Sequence, residues 1–148
     1  MSLISNKKAT FNYEILETIE TGIELLGSEV KSIRKSQGNL EGSYIIVRGG
    51  EAFLIGALIS PFQQNNIPDN YEERRNRKLI LHKKEIKRLS EIGQGTGKSA
   101  IPLNLYSKGT KIKLEIAIVK GKKKFDKRQT IKKRETDREI RRDFKRNG

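Results

Sequence analysis

Side chains able to do nucleophilic, acid–base or metal chemistry are sparse in this 148-residue chain, and their spacing builds no catalytic constellation. There is no cysteine and a single histidine, His82, so thiolate and histidine-built metal sites lack donors. His82 has no cysteine partner and no serine or carboxylate arrangement of a nucleophile–base pair. It is expected to be a surface residue or a nucleic-acid contact rather than a base. Glu72-Glu73 is a pair of carboxylates, but Arg74-Arg75 follows at once, so a solvated ion cluster is expected. Gly93-Gln94-Gly95-Thr96-Gly97-Lys98-Ser99 ends like a phosphate-binding loop. That motif needs a glycine where Ile92 stands, a strand before it and a helix after it. Here an expected helix precedes and Ala100-Ile101-Pro102 follows, so a flexible connector is expected. No enzymatic activity, metal or cofactor is expected.

The remaining chemistry is electrostatic. The formal net charge is +14, which attracts polyanions: nucleic acid, an anionic membrane or an acidic protein. From Lys120 to Gly148 there are 14 Lys or Arg and five Asp or Glu, a net of +9. The other 119 residues carry only +5. Two regions follow: a mildly basic body, 1–120, and a strongly basic tail, 121–148. The N-terminal Met1 to Lys8 lacks the apolar run of a signal peptide. No stretch approaches the roughly 20 apolar residues of a membrane span. A cytoplasmic protein without a membrane partner is expected.

The elements that must display these charges read as mostly β. Phe11, Tyr13 and Ile15 alternate with Asn12 and Glu14, the period of a half-buried strand, and Gly22-Ile23-Glu24-Leu25 resumes it after a break. Ser28 to Arg34 changes period: Ser28 is the expected cap of a short helix, Glu29 suits its first turn, Val30 and Ile33 share a face, and Gly38 ends it. Tyr44 to Arg48 and Glu51 to Ile55 flank Gly49-Gly50, a hairpin turn signal. The second strand is expected to run to Ile59, with a bend at Gly56. Residues 60–76 read as a loop. His82 to Ile92 reads as a helix with Ile86 and Leu89 inward and Lys83, Lys84, Lys87 and Arg88 on a basic face too poor in apolar surface for a membrane. Ala100 to Lys108 and Thr110 to Lys120 form a second hairpin, with Pro102 marking a strand start or an edge. A closed or partly open barrel of the OB type is one solution; pattern alone also allows a sandwich.

Lys122 to Asn147 contains no Gly or Pro and is rich in good helix formers. Its apolar residues are only Phe125, Ile131, Ile140 and Phe144, with no continuous stripe. Such a tail is expected to be disordered when free and helical on a polyanionic partner.

Ordered blocks along the chain resemble one family. Asn6-Lys7-Lys8-Ala9, Glu20-Thr21-Gly22-Ile23, Gly27-Ser28-Glu29-Val30-Lys31-Ser32-Ile33-Arg34, Gly50-Glu51-Ala52-Phe53-Leu54, Arg77-Lys78-Leu79-Ile80-Leu81-His82 and Gly121-Lys122-Lys123-Lys124-Phe125-Asp126-Lys127-Arg128 together look like small protein B (SmpB), the SsrA- or tmRNA-binding family of trans-translation. The resemblance implies an OB-type barrel with short flanking helices. It implies binding to the tRNA-like domain of tmRNA and delivery to a stalled ribosome, in company with elongation factor Tu and GTP. By position, Asn6, Lys7, Glu20, Ile80, His82, Gly121, Lys122 and Lys123 resemble the family's tmRNA contacts. Phe125, Asp126, Lys127 and Arg128, with Ile140 and Phe144 further on, resemble its tail. That tail is implied to fold as a helix in the empty mRNA channel and decoding centre. Phe125 stands where the family often has His or Tyr, which keeps stacking and removes a hydrogen bond.

Overall fold

The computed structural model describes residues 2–62, 70–92 and 95–121. Nine strands and three short helices are assigned among them, in the order β1 (Ser2–Ser5), α1 (Ala9–Asn12), β2 (Tyr13–Ile23), α2 (Gly27–Arg34), β3 (Gly38–Asn39), β4 (Tyr44–Arg48), β5 (Glu51–Ile55), β6 (Leu58–Ile59), β7 (Arg77–Ile80), α3 (Lys83–Ile92), β8 (Lys98–Lys108) and β9 (Lys111–Gly121). Seven strands form one antiparallel sheet in the order β1-β8-β9-β2-β7-β5-β4, and β3 pairs with β6. The sheet curls so that β4 comes back within 8 Å (Cα–Cα) of β8 without pairing to it. This is the partly open barrel among the expected solutions.

Alternation sorts the side chains. Ile19 and Ile23 of β2, Ala52 and Leu54 of β5, Leu105 of β8, and Ile112, Leu114, Ile116 and Ile118 of β9 fill the interior. Ile33 of α2 and Leu89 and Ile92 of α3 complete it. A second, smaller cluster lies on the opposite face: Ala117 and Val119 of β9 and Ile101 of β8 are covered by Ala9 of α1, with Tyr13 and Ile15 beside them.

Both expected hairpins form. Gly49 (φ 60°) and Gly50 (φ 76°) make the β4–β5 turn; positive φ at both central residues is what a type I′ turn needs. Gly109 (φ 63°) serves the β8–β9 turn.

Several expected boundaries moved, each for a local reason. Phe11 belongs to the single turn α1, because Asn12 N–H bonds back to Lys8 O, and the strand begins at Tyr13. There is no break before Gly22: β2 is continuous and absorbs one residue, Leu16, as a bulge. Ser28 does not cap α2. Leu26 occupies the cap, and its N–H donates to Glu29 Oε1 at 2.8 Å. Gly38 does not end the helix, whose last turn gives way at Ser36 in a left-handed conformation (φ 57°). Instead Gly38 lies in β3, where a Cβ would come within 2.6 Å of Leu58 O and 2.9 Å of Ile4 Cδ1. β5 stops at Ile55, since Gly56 (φ 80°) turns the chain into the separate strand β6. Pro102 does not start its strand, but it does lie where β8 is at an edge. It sits inside β8 at a register shift, just past the stretch paired with β1, so its missing N–H costs the ladder nothing.

Candidate nucleic-acid interface

Around Glu20 the outer face of the β8-β9-β2-β7 stretch is polar and built by register. Glu20 of β2 lies opposite Glu115 of β9, and Glu115 opposite Asn104 of β8. Asn104 Nδ2 donates to Glu115 Oε1 at 3.1 Å. Glu20 accepts from two residues of β8: the Tyr106 hydroxyl on Oε2 and Lys108 Nζ on Oε1 at 3.0 Å. The Tyr106 bond foremost, and then the Lys108 bond, hold the Glu20 carboxyl below its ordinary range. Desolvation, and then the Glu20 bond, push the Tyr106 phenol far above its ordinary range. At neutral pH the patch is therefore a carboxylate holding a phenol and an ammonium. On the other side of β2, Gly22 pairs with Ile80 of β7. Ile80 is 62% exposed, and a Cβ on Gly22 would press on it at 3.3 Å. The absent side chain thus lets Ile80 lie over β2 as an apolar spot among polar groups. His82, exposed two residues on, precedes α3; its N–H donates to Glu85 Oε1 at 3.2 Å, and its carbonyl accepts from Glu85 and Ile86.

A second patch lies along the same strands. Gly121, the last residue of β9, is opposite Tyr13 at the start of β2. Six residues separate Gly121 from Glu115, which is roughly 20 Å at strand rise. Asn6 follows β1 and is fixed to β8: its N–H donates to Leu103 O (2.7 Å) and its Nδ2 to Pro102 O (2.9 Å). That anchors the exposed Lys7 and Lys8. Beside them opens a groove of about 800 Å³ at the β4–β8 seam, lined among others by Lys8, Asn12, Tyr13, Tyr44, Lys98 and Ser99. Ammonium and phenol groups around one groove suit a phosphate chain with bases. Among the described residues, no group of His, Cys, Asp or Glu could hold a metal ion.

The sequence matches the family model described as SmpB protein over residues 3–146. The chain belongs to the SmpB family. It is 44% identical over 144 residues to the SsrA-binding protein of Microcystis aeruginosa, covering 97% of this chain and 94% of that one. It is 50% identical over 143 residues to the SsrA-binding protein of Caldicellulosiruptor saccharolyticus, covering 97% and 90%. Among solved structures it is similar to a chain of "tmRNA-SmpB: a journey to the center of the bacterial ribosome", with TM-score 0.69 and 36% identity over 84% of this chain and 87% of that one.

The positions resembling SmpB contacts therefore fall into two groups. Glu20 and Ile80 gather on the outer face of β2 and β7, with His82 two residues past Ile80, while Asn6, followed by Lys7, lines the groove that Tyr13 also lines, and Gly121 lies opposite Tyr13. Lys122, Lys123, Phe125, Asp126, Lys127, Arg128, Ile140 and Phe144 lie outside the described residues. Sequence reading missed Tyr106, Lys108 and Asn104. Their signal was there, as alternate positions of one strand, but nothing local tied them to Glu20, 86 and 88 residues away for the first two. Of the phosphate-loop look-alike, Gly93 and Gln94 lie outside the described residues, and Lys98 and Ser99 open strand β8 rather than a helix. The expected ion cluster at 72–75 is also different. Arg75 turns away to Glu29, and Arg74 donates to Gly56 O at 2.8 Å. A buried carboxylate and a backbone carbonyl outcompete solvated neighbours.

Proposed function

We propose that this chain binds the tRNA-like domain of tmRNA and carries it to ribosomes stalled without a stop codon, as an adaptor with no chemistry of its own. The observation that carries this reading is near-full-length identity to SsrA-binding proteins, together with likeness to a chain in a tmRNA–SmpB ribosome structure. The barrel, 1–120, holds the RNA. Asn6, Lys7, Glu20, Ile80, His82, Gly121, Lys122 and Lys123 are its contacts: cations and backbone donors for phosphates, and Ile80 as an apolar surface for a base. The tail, 121–148, enters the vacant mRNA channel and decoding centre, where its net positive charge meets ribosomal RNA. Phe125, Asp126, Lys127 and Arg128 act near the tail's root, with Ile140 and Phe144 as apolar anchors. Elongation factor Tu with GTP accompanies the alanyl-tmRNA complex. The outcome is release of the ribosome and tagging of the nascent peptide for degradation, all in the cytoplasm.

A truncation separates the two halves of this reading. A chain ending at Lys124 is expected to bind the tRNA-like domain within about threefold of the full chain at physiological salt, yet fail to release stalled ribosomes in a reconstituted translation assay. Rescue undiminished by the truncation contradicts the tail's role.

A further inference from the structure

An acidic residue on an RNA-binding face needs a physical reason, because phosphates repel it. Two are available. A carboxylate can accept hydrogen bonds from base donors, or it can hold cations in place for the phosphates. At Glu20 the first use competes with contacts already made, since each oxygen accepts one: Oε2 from the Tyr106 hydroxyl and Oε1 from Lys108 Nζ. Tyr106 and Lys108 are alternate residues of β8, and β8 is separated from β2 by the whole of β9. Both side chains reach across β9 over its outer face to arrive at one carboxylate. Tyr106 is paired with Lys113, and Glu20 with Glu115, so the phenol passes diagonally over that strand. Glu115 is itself held by Asn104. The patch is thus a latched set of polar groups, unlike the free lysines of a loosely charged surface.

Lys108 gains most from this latch. An exposed lysine has several rotatable bonds and loses up to about 2 kcal/mol of side-chain entropy when a ligand orders it. Here the ammonium is already located, 62% exposed, with one of its three donors on Glu20. The other donors are free to reach outward from the sheet. Tyr106 fixes the second carboxylate oxygen, and with it the direction in which Glu20 presents Lys108.

We infer that Glu20 is a positioning residue, that Tyr106 positions Glu20, and that Lys108 is the side chain of this trio that takes an RNA phosphate. The inference rests on the RNA-binding function proposed above, adds Lys108 as a contact and Tyr106 as a positioning residue, and recasts Glu20, named there as a contact, as the group that orients one.

The test is a double-mutant cycle in the full-length chain, read as affinity for an in vitro transcribed tRNA-like domain over a range of salt. Lys108→Met is expected to weaken binding on the order of tenfold and to flatten the salt slope by about one phosphate contact. Lys108→Arg restores most of both. Glu20→Gln and Tyr106→Phe weaken binding less, and in the Lys108→Met background both become silent, because the group they position is gone. Thermal unfolding of each variant stays near wild type, since Glu20 and Lys108 are exposed and Tyr106→Phe keeps the half-buried ring. Independent, additive losses for Glu20→Gln and Lys108→Met overturn the positioning role and return Glu20 to direct base contact. An unchanged salt slope for Lys108→Met, with wild-type binding intact, overturns the phosphate contact alone. Wild-type protein that does not prefer the tRNA-like fold overturns the functional reading beneath it as well.

Discussion

Glu29 shows what a single residue does in this fold. Its carboxylate is buried and shared by two guanidiniums: Arg77 through Nε at 2.8 Å and Nη2 at 2.6 Å, and Arg75 through Nη2 at 2.5 Å. Arg77 has no exposure at all, and its remaining donors go to Ala57 O, Arg75 O and Glu73 O. Tyr71 also donates to Glu29 Oε2, at 3.2 Å. The carboxylate thus ties α2 to β7 and to the segment before it. Burial pushes the Glu29 carboxyl up, but the Arg75 bond, the Leu26 N–H and Arg77 outweigh it and leave it below the usual range. Removing one partner of such a set strands the others without water. Glu29→Gln is therefore expected to lower unfolding free energy by about 3–5 kcal/mol in urea titrations at pH 7. Because the folded-state pKa is the lower one, this advantage of wild type is complete above the ordinary glutamate value of 4.5. It fades as pH falls through the depressed value. A gap that stays constant to pH 3 contradicts the ion-pair account. The sequence placed Glu29 in a helix's first turn and stopped there, since its two arginines lie 46 and 48 residues away. The same distance problem hid Tyr106 and Lys108 from Glu20.

Elements were legible where the signal was local. The Gly49-Gly50 hairpin and the long strict alternation of β9 stood in the sequence because turn chemistry and period-two patterning are properties of neighbours. Short strands were not. β1 has four residues and β3 and β6 two each, too few for a period, and they exist only because partners elsewhere in the chain accept their backbone bonds. Gly38 marks the difference. It read as a helix stop from its position after α2, but its reason is the approach of Leu58 O and Ile4 on either side of β3. Gly38→Ala is expected to destabilise by about 1–3 kcal/mol through overpacking. Gly27→Ala, at the start of α2 with open space around it, is expected to stabilise by up to about 1 kcal/mol. Thermal melts of the two variants check the pair; equal shifts of the same sign contradict a packing role for Gly38.

At the scale of the molecule, the sheet turns linear spacing into a surface. Glu20 and Ile80 come from distant blocks yet share one outer face, because β7 pairs beside β2 at Gly22. Asn6 and Tyr13 line one groove, and Gly121 lies opposite Tyr13 because β9 pairs with β2. The barrel was one of two architectures that pattern permitted; the curl that brings β4 back to β8 decided it. Closure depends on the summed twist and bulges of many strands, which no short window contains. The basic tail was plain from charge alone, and its place in the account rests on family membership. The central claim is that the barrel's outer face recognises a tRNA-shaped RNA by structure as well as charge. Titrating the full-length protein at physiological salt against a tRNA-like domain, the same domain without its elbow, and random duplex DNA of equal length tests it most directly. The account predicts binding at least on the order of 100-fold tighter to the intact domain than to either competitor. Equal affinity for all three would contradict it.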